Sequence, residues 1–310
     1  MENKSVLYNE ITNFCISSTE SAVLSYLNIF SVLLNITNLF FLKTLDKSKR
    51  TANFWILVNI GICDIVTCST FSLVVNCELN RQAVFRLPTA GAQIFQIAAA
   101  IFAGVTFIAR NFVLAIGSYE RYISICRPYQ KNTNKVVTNI NLCTSLIWLI
   151  SFILMTIVIA TDFEEYCFGE FGAMPEKPNI QTSVTFAGST TTAFVTSAIC
   201  LSKVSKELKR MQSRSSVPGL DDLIVKRSAQ YIMIVSIALY LSYIPTVMSV
   251  ISNSIDGALY SMGSLWRWIS FFYMTIYSIL NVGLYFLMTP GYRIHVFNLF
   301  NLKKSTVRSQ

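Results

Sequence analysis

Charge is what this sequence has least of. Only 13% of its 310 residues are Asp, Glu, Lys or Arg, and 53% are hydrophobic, whereas a soluble chain carries about a quarter charged residues. Half the usual surface charge is missing, which excludes a water-facing globular domain and points to a membrane protein. Histidine is nearly absent: His295 stands alone close to the C-terminus. With no His-Glu-x-x-His run and no paired carboxylates inside an apolar segment, an intramembrane enzyme lacks its catalytic set, and neither a metal nor a cofactor is expected. Proline is sparse as well, with 7 in all and only Pro245 inside an apolar segment. Transporters built from repeated halves carry Gly- or Pro-broken spans at corresponding places. No such repeat is present, which disfavours that class. A secretory signal of the usual form is also missing, because Met1 to Ser21 is polar and carries Glu2, Glu10 and Glu20. The first apolar segment is therefore expected to serve as both signal and anchor.

What is present is apolar length. Mean hydropathy is +0.51, and seven segments approach the roughly 20 residues of a bilayer-spanning helix. They cover residues 22–44, 53–77, 92–120, 138–161, 181–202, 228–252 and 264–288. The expected architecture is an all-α bundle of seven transmembrane helices over 22–288. An extracellular N-terminus (1–21) precedes it, and a cytoplasmic amphipathic helix with a short tail (289–310) follows.

Charge orients the bundle. Most of the 25 Lys and Arg fall in four connections, from Lys43 to Thr51, Arg127 to Val137, Lys203 to Arg227, and after Met288. Only Asp46, Glu207, Asp221 and Asp222 oppose them there. The other side has Lys4, Arg81, Arg86, Lys177 and Arg267 against a larger set of acids, including an acidic loop from Asp162 to Glu176. An excess of Lys and Arg marks the cytoplasmic side, so the N-terminus lies outside. The net charge of +9 thus reflects topology, and a nucleic-acid partner is unnecessary to explain it. Asn3-Lys4-Ser5 is then an acceptor for N-glycosylation on the outer side, at Asn3.

Two charged stations lie inside the apolar segments. At the inner end of the third, Glu120 and Arg121 sit within Ser118-Tyr119-Glu120-Arg121-Tyr122-Ile123. Three helical turns earlier, about 16 Å away at about 1.5 Å per residue, stands Arg110. Its depth is near the bilayer midplane, and Asp64 reaches a comparable depth in the second segment. An unpaired ion at that depth is severely penalised, so Asp64 and Arg110 are expected to pair. The pair either only fixes helix register or rearranges when the protein changes state.

Taken together, these residues resemble the rhodopsin-like (class A) G-protein-coupled receptors. Glu120-Arg121-Tyr122 at the inner end of the third span carries the likeness. It is joined by Asn35, by Asn59-Ile60-Gly61-Ile62-Cys63-Asp64, by Trp148 and Pro245, and by Asn281-Val282-Gly283-Leu284-Tyr285. Tyr292 to Phe297 is similar to the family's short helix on the inner membrane surface. The resemblance implies a receptor in the plasma membrane that passes an extracellular signal to a heterotrimeric G protein. Its switch would comprise Glu120, Arg121, Tyr122, Asn281 and Tyr285, with the sixth helix swinging about the kink at Pro245.

Departures from the family pattern are as informative. The third span carries Gln96 where the family has a disulfide-forming Cys. Cys77 with Cys167 is the pairing expected instead, with Cys15 bonded to either, or no bridge, as the alternatives. The seventh span has Val282 in place of Pro. In the family, the residue matching Asp64 takes part in a sodium site with a Ser at the position matching Arg110, and here a fixed guanidinium stands for the ion. Many members lock Arg121's counterpart with a Glu at the foot of the sixth span. Val225 occupies that place, with Asp221 or Asp222, one turn earlier, as candidate substitutes; if neither serves, Glu120 alone holds the resting state and appreciable agonist-free signalling is expected.

Positions matching the family's ligand pocket read Ala103, Phe107, Tyr243, Thr246, Val250, Phe271 and Thr275. They are apolar and aromatic with a few hydroxyls, which suits a small hydrophobic ligand. Ala103 excludes the amine-binding Asp, and Thr275 excludes a retinal Schiff base. The Arg-Tyr-x-x-Ile-Cys run from Arg121 is similar to that of odorant receptors, so a chemosensory receptor is the leading expectation. A lipid or peptide receptor of the same fold is the alternative, and a non-signalling binding protein a further one. Lys203, Lys206, Lys209, Arg210, Lys226 and Arg227 form a basic rim, suited to a G protein and to anionic lipid.

Overall fold

The computed structural model describes residues 18–45, 52–75, 89–161, 180–214, 220–254 and 260–307. Among these, the regular elements are all helical. The long helices are α1 Ser18–Lys43, α2 Ala52–Val75, α3 Thr89–Cys126, α4 Ile140–Thr161, α5 Ile180–Arg214, α6 Leu220–Ser254, α7 Tyr260–Met288 and α8 Pro290–Val307. Six of them are long and apolar enough to cross a membrane, and in α6 the apolar stretch is the shorter Ala229–Pro245. The result is a seven-helix bundle with α8 appended.

Helices outrun the apolar segments on the cytoplasmic side. α3 continues past residue 120, where the apolar run was expected to close it, as far as Cys126. Nothing between Glu120 and Cys126 breaks a helix, and the stop comes at Pro128. The residue before proline is driven out of the α region, and Arg127 duly has φ −138° and ψ 56°. Glu120, Arg121 and Tyr122 therefore stand inside a helix, with a further turn beyond them. After a 3-10 turn at Pro128–Gln130, Asn134 caps a single turn, Lys135–Thr138, accepting from the Val136 and Val137 backbone amides. Its amide also donates to the Tyr119 hydroxyl at 3.0 Å, which ties this connection to α3.

α3 lies at the centre, touching α2, α4, α5 and α6. Its close approach to α4 depends on Gly104, because a Cβ there would lie 2.2 Å from the buried Met155 sulfur. Ala100, Val105, Met155, Val158 and Ile159 fill that seam. A larger core joins Ile56, Ile60, Val113, Leu114, Tyr231, Ile232, Val235 and Leu239 from α2, α3 and α6. Leu146, Leu149, Ile150, Phe152, Ile153 and Ile157 of α4 face outward, as lipid-facing side chains must where no water is present.

α1 is held by polar contacts. Thr275 donates to Asn28 at 2.8 Å, Ser31 and Ser278 share a hydrogen bond of 2.6 Å, and Asn35 donates to Ser278 at 3.0 Å. Further inward, Tyr292 of α8 donates to Asn38 at 2.6 Å, and Thr44 meets His295 at 3.0 Å. Residues 28, 31, 35 and 38 recur at three- and four-residue steps, so a single stripe of α1 faces α7 and α8.

Candidate functional site at the bundle core and inner end

The midplane station is built from α2, α3, α6 and α7. Arg110 Nη2 lies 2.8 Å from Asp64 Oδ1, and both side chains are almost completely enclosed. The same nitrogen donates to Thr67 Oγ1 at 2.9 Å, Nη1 approaches Met274 Sδ at 3.9 Å, and the guanidinium carbon is 5.7 Å from the centre of the Tyr277 ring. Asp64 Oδ2 accepts from the Asn281 amide at 3.2 Å, and Tyr231 donates to Asn281 Oδ1 at 2.7 Å. From Tyr231 the path becomes aromatic. Its ring meets Tyr285 at 5.4 Å, and Tyr285 meets Tyr292 at 4.6 Å. A chain of direct contacts thus runs from Arg110 to α8.

The residues present do not fit a sodium ion at Asp64. A cation needs oxygen lone pairs that converge on it, and here the Asn281 amide donates to one carboxylate oxygen while the Arg110 guanidinium stands 2.8 Å from the other. Thr67 Oγ1 accepts from Arg110 and gives its own proton to Thr106 at 3.0 Å. A second positive charge would also face the fixed guanidinium.

At the inner end, Arg121 Nε lies 2.8 Å from Glu120 Oε2, and Ser124 donates to Glu120 Oε1 at 2.8 Å. Glu120 is buried, and Arg121 keeps 11% of its side-chain surface open. Tyr122 is flanked by two cations, with Arg127 at 5.6 Å and Lys203 at 5.3 Å from its ring centre. Lys203, Lys206, Lys209 and Arg210 are exposed along the end of α5, where Arg210 pairs with Glu207 at 3.3 Å. The side chains of Asp221, Asp222 and Val225 lie outside the described residues.

Towards the outer half, the Phe107 ring meets Tyr243 at 4.7 Å and Phe186 at 5.4 Å, and Phe71 meets Phe271 at 4.6 Å. Ala103 is half-buried, one turn from Phe107 on α3. The Tyr243 hydroxyl is buried and has no hydrogen-bond partner among the described residues. Thr275 is fully buried, and its hydroxyl donates to Asn28 and to the Phe271 carbonyl, which joins α7 to α1. The side chains of Thr246 and Val250 lie outside the described residues. Pro245 sits within α6, where its missing N–H weakens the helix.

Four residues at these stations escaped the sequence reading: Thr67, Tyr231, Met274 and Tyr277. Thr67 had a usable signal, because it follows Asp64 by three and shares its helix face. Trp148 and Asn59, noted only as matching residues, are bonded to each other, Nε1 to Oδ1, at 2.8 Å. Cys63, Cys68, Cys126, Cys143 and Cys200 are free thiols. Asn3, Cys15, Cys77 and Cys167 lie outside the described residues.

Compared with known families, residues 22–285 match the seven-transmembrane receptors of the rhodopsin family. Among curated proteins, none matches the chain significantly.

Proposed function

Because the chain belongs to the rhodopsin family of seven-transmembrane receptors, whose members are plasma-membrane receptors rather than enzymes, we propose that it is a chemosensory receptor for small hydrophobic molecules. It binds its ligand in the outer half of the bundle and activates a heterotrimeric G protein at the inner end. The observation that carries this reading is the contact of Phe107 with Tyr243 and Phe186. It is an aromatic junction of α3, α5 and α6, one turn outward from Arg110. A ligand that separates these rings acts on α3 and α6 together. Pro245, two residues from Tyr243, lets the inner part of α6 swing, and that swing uncovers Arg121 for the partner. Glu120 holds Arg121 until then, and the exposed cations of α5 border the docking surface.

The test is a panel of small apolar volatiles applied to cells that display the chain at their surface and carry a G-protein reporter. The expected result is activation by a subset of the panel, lost on Arg121→Ala with surface display unchanged. Activation by lipids or peptides alone transfers the assignment to that ligand class. Ligand binding without G-protein activation across all subtypes identifies a non-signalling binding protein.

A further inference from the structure

A carboxylate buried in the middle of a bilayer needs a positive partner, and a chain can supply one of its own or leave room for an ion. We propose that Arg110 is a built-in counter-cation that closes the Asp64 site to free monovalent cations, and that removing its guanidinium opens a site for sodium or potassium. The inference does not depend on the ligand class proposed above.

The geometry marks where such an ion would stand. Arg110 Nη2 lies 2.8 Å from Asp64 Oδ1 and 2.9 Å from Thr67 Oγ1, so one nitrogen already occupies the point on which two oxygens converge. Asp64 is held in place independently by Asn281 through its other oxygen, and Asn281 is held by Tyr231. Thr67 is fixed through Thr106. Loss of the guanidinium therefore leaves an enclosed pair of oxygens with its supports intact and one uncompensated negative charge. In the native protein the same charge is balanced by a cation tethered to the chain. A guanidinium stays protonated at all relevant pH values and cannot leave, so the native receptor should be indifferent to the sodium and potassium around it.

The experiment measures thermal unfolding of the purified full-length chain with a thiol-reactive dye, which reports exposure of the buried thiols Cys63, Cys68 and Cys200. Sodium, potassium and choline chloride are compared at equal ionic strength. The native protein is expected to unfold at the same temperature in all three. Arg110→Ser is expected to gain about 3 °C or more in sodium or potassium over choline once the ion is at about ten times its dissociation constant. That gain should vanish in Asp64→Asn/Arg110→Ser. The proposal is overturned if the native protein gains stability over choline in a way that Asp64→Asn removes, or if Arg110→Ser behaves alike in the three salts. Should Arg110→Ser yield no folded chain in any salt, the native protein and Arg110→Lys decide. Both keep a fixed cation and must ignore the salt, and a rise in either overturns the proposal.

Discussion

Breaking the Asp64–Arg110 pair from one side should be far more damaging than removing both charges. At 2.8 Å and an effective dielectric of about 20, the Coulomb attraction is about 6 kcal/mol. Most of it offsets the desolvation of the two ions, so the native pair contributes little net stability. Removing one partner leaves the desolvation penalty uncompensated, a loss of about 3–5 kcal/mol. Against a total stability of about 5–15 kcal/mol, that is enough to take most of the protein off the cell surface. Asp64→Asn and Arg110→Gln should each lower the unfolding temperature by about 6–20 °C and reduce surface display several-fold. Asp64→Asn/Arg110→Gln has no ion left to strand, and it should recover at least half of the native display. Flow cytometry of an epitope-tagged chain reads display, and thermal unfolding of the purified variants reads stability. A double variant no better than the worse single one would refute the stranded-charge argument, because removing the second ion would then bring no relief.

Three other outcomes are expected. Gly104→Ala should lose about 1–3 kcal/mol through overpacking against Met155, and Met155→Ala in the same chain should return part of that loss in thermal unfolding. Glu120→Gln removes the charge 2.8 Å from Arg121 and should raise agonist-free reporter activity at least twofold over a native level that is itself measurable; a silent native receptor would count against the loosely held resting state. Tyr292→Phe deletes the hydroxyl bonded to Asn38, a loss of about 1 kcal/mol. It should speed protease cleavage around α8 while leaving surface display close to native.

How far the sequence could be read depended on the kind of force at each position. Asp64 and Arg110 were legible as partners because hydrocarbon leaves unlike charges at one depth few other options. The span count was legible for the same reason, since hydropathy reports the solvent directly. The end of α3 was not, because hydropathy falls at Glu120 while the helix persists until Pro128 ends it. Thr275 shows a different limit. The direction a side chain faces turns by about 100° per residue, and the bond from Thr275 to Asn28 is visible only once α1 lies beside α7. Tyr231 gave no warning at all, because a tyrosine in an apolar run reads as packing until its hydroxyl is seen against Asn281.

The polar stripe on α1 carries a consequence for biogenesis. Asn28, Ser31 and Asn35 enter the bilayer with α1, yet their partners on α7 are synthesised much later. Asn35 and Ser278 are 243 residues apart, which at about 5–20 residues per second is a wait of about 12–50 s. Throughout that interval α1 lacks those partners, and the Asn35 amide has only the Ser31 carbonyl of its own helix, at 2.9 Å. Shelter of this stripe, by the insertion machinery or by a chaperone within the membrane, is the expected outcome until α7 arrives. Chains truncated before α7 should be recognised by membrane quality control through α1, and not through the missing C-terminus itself.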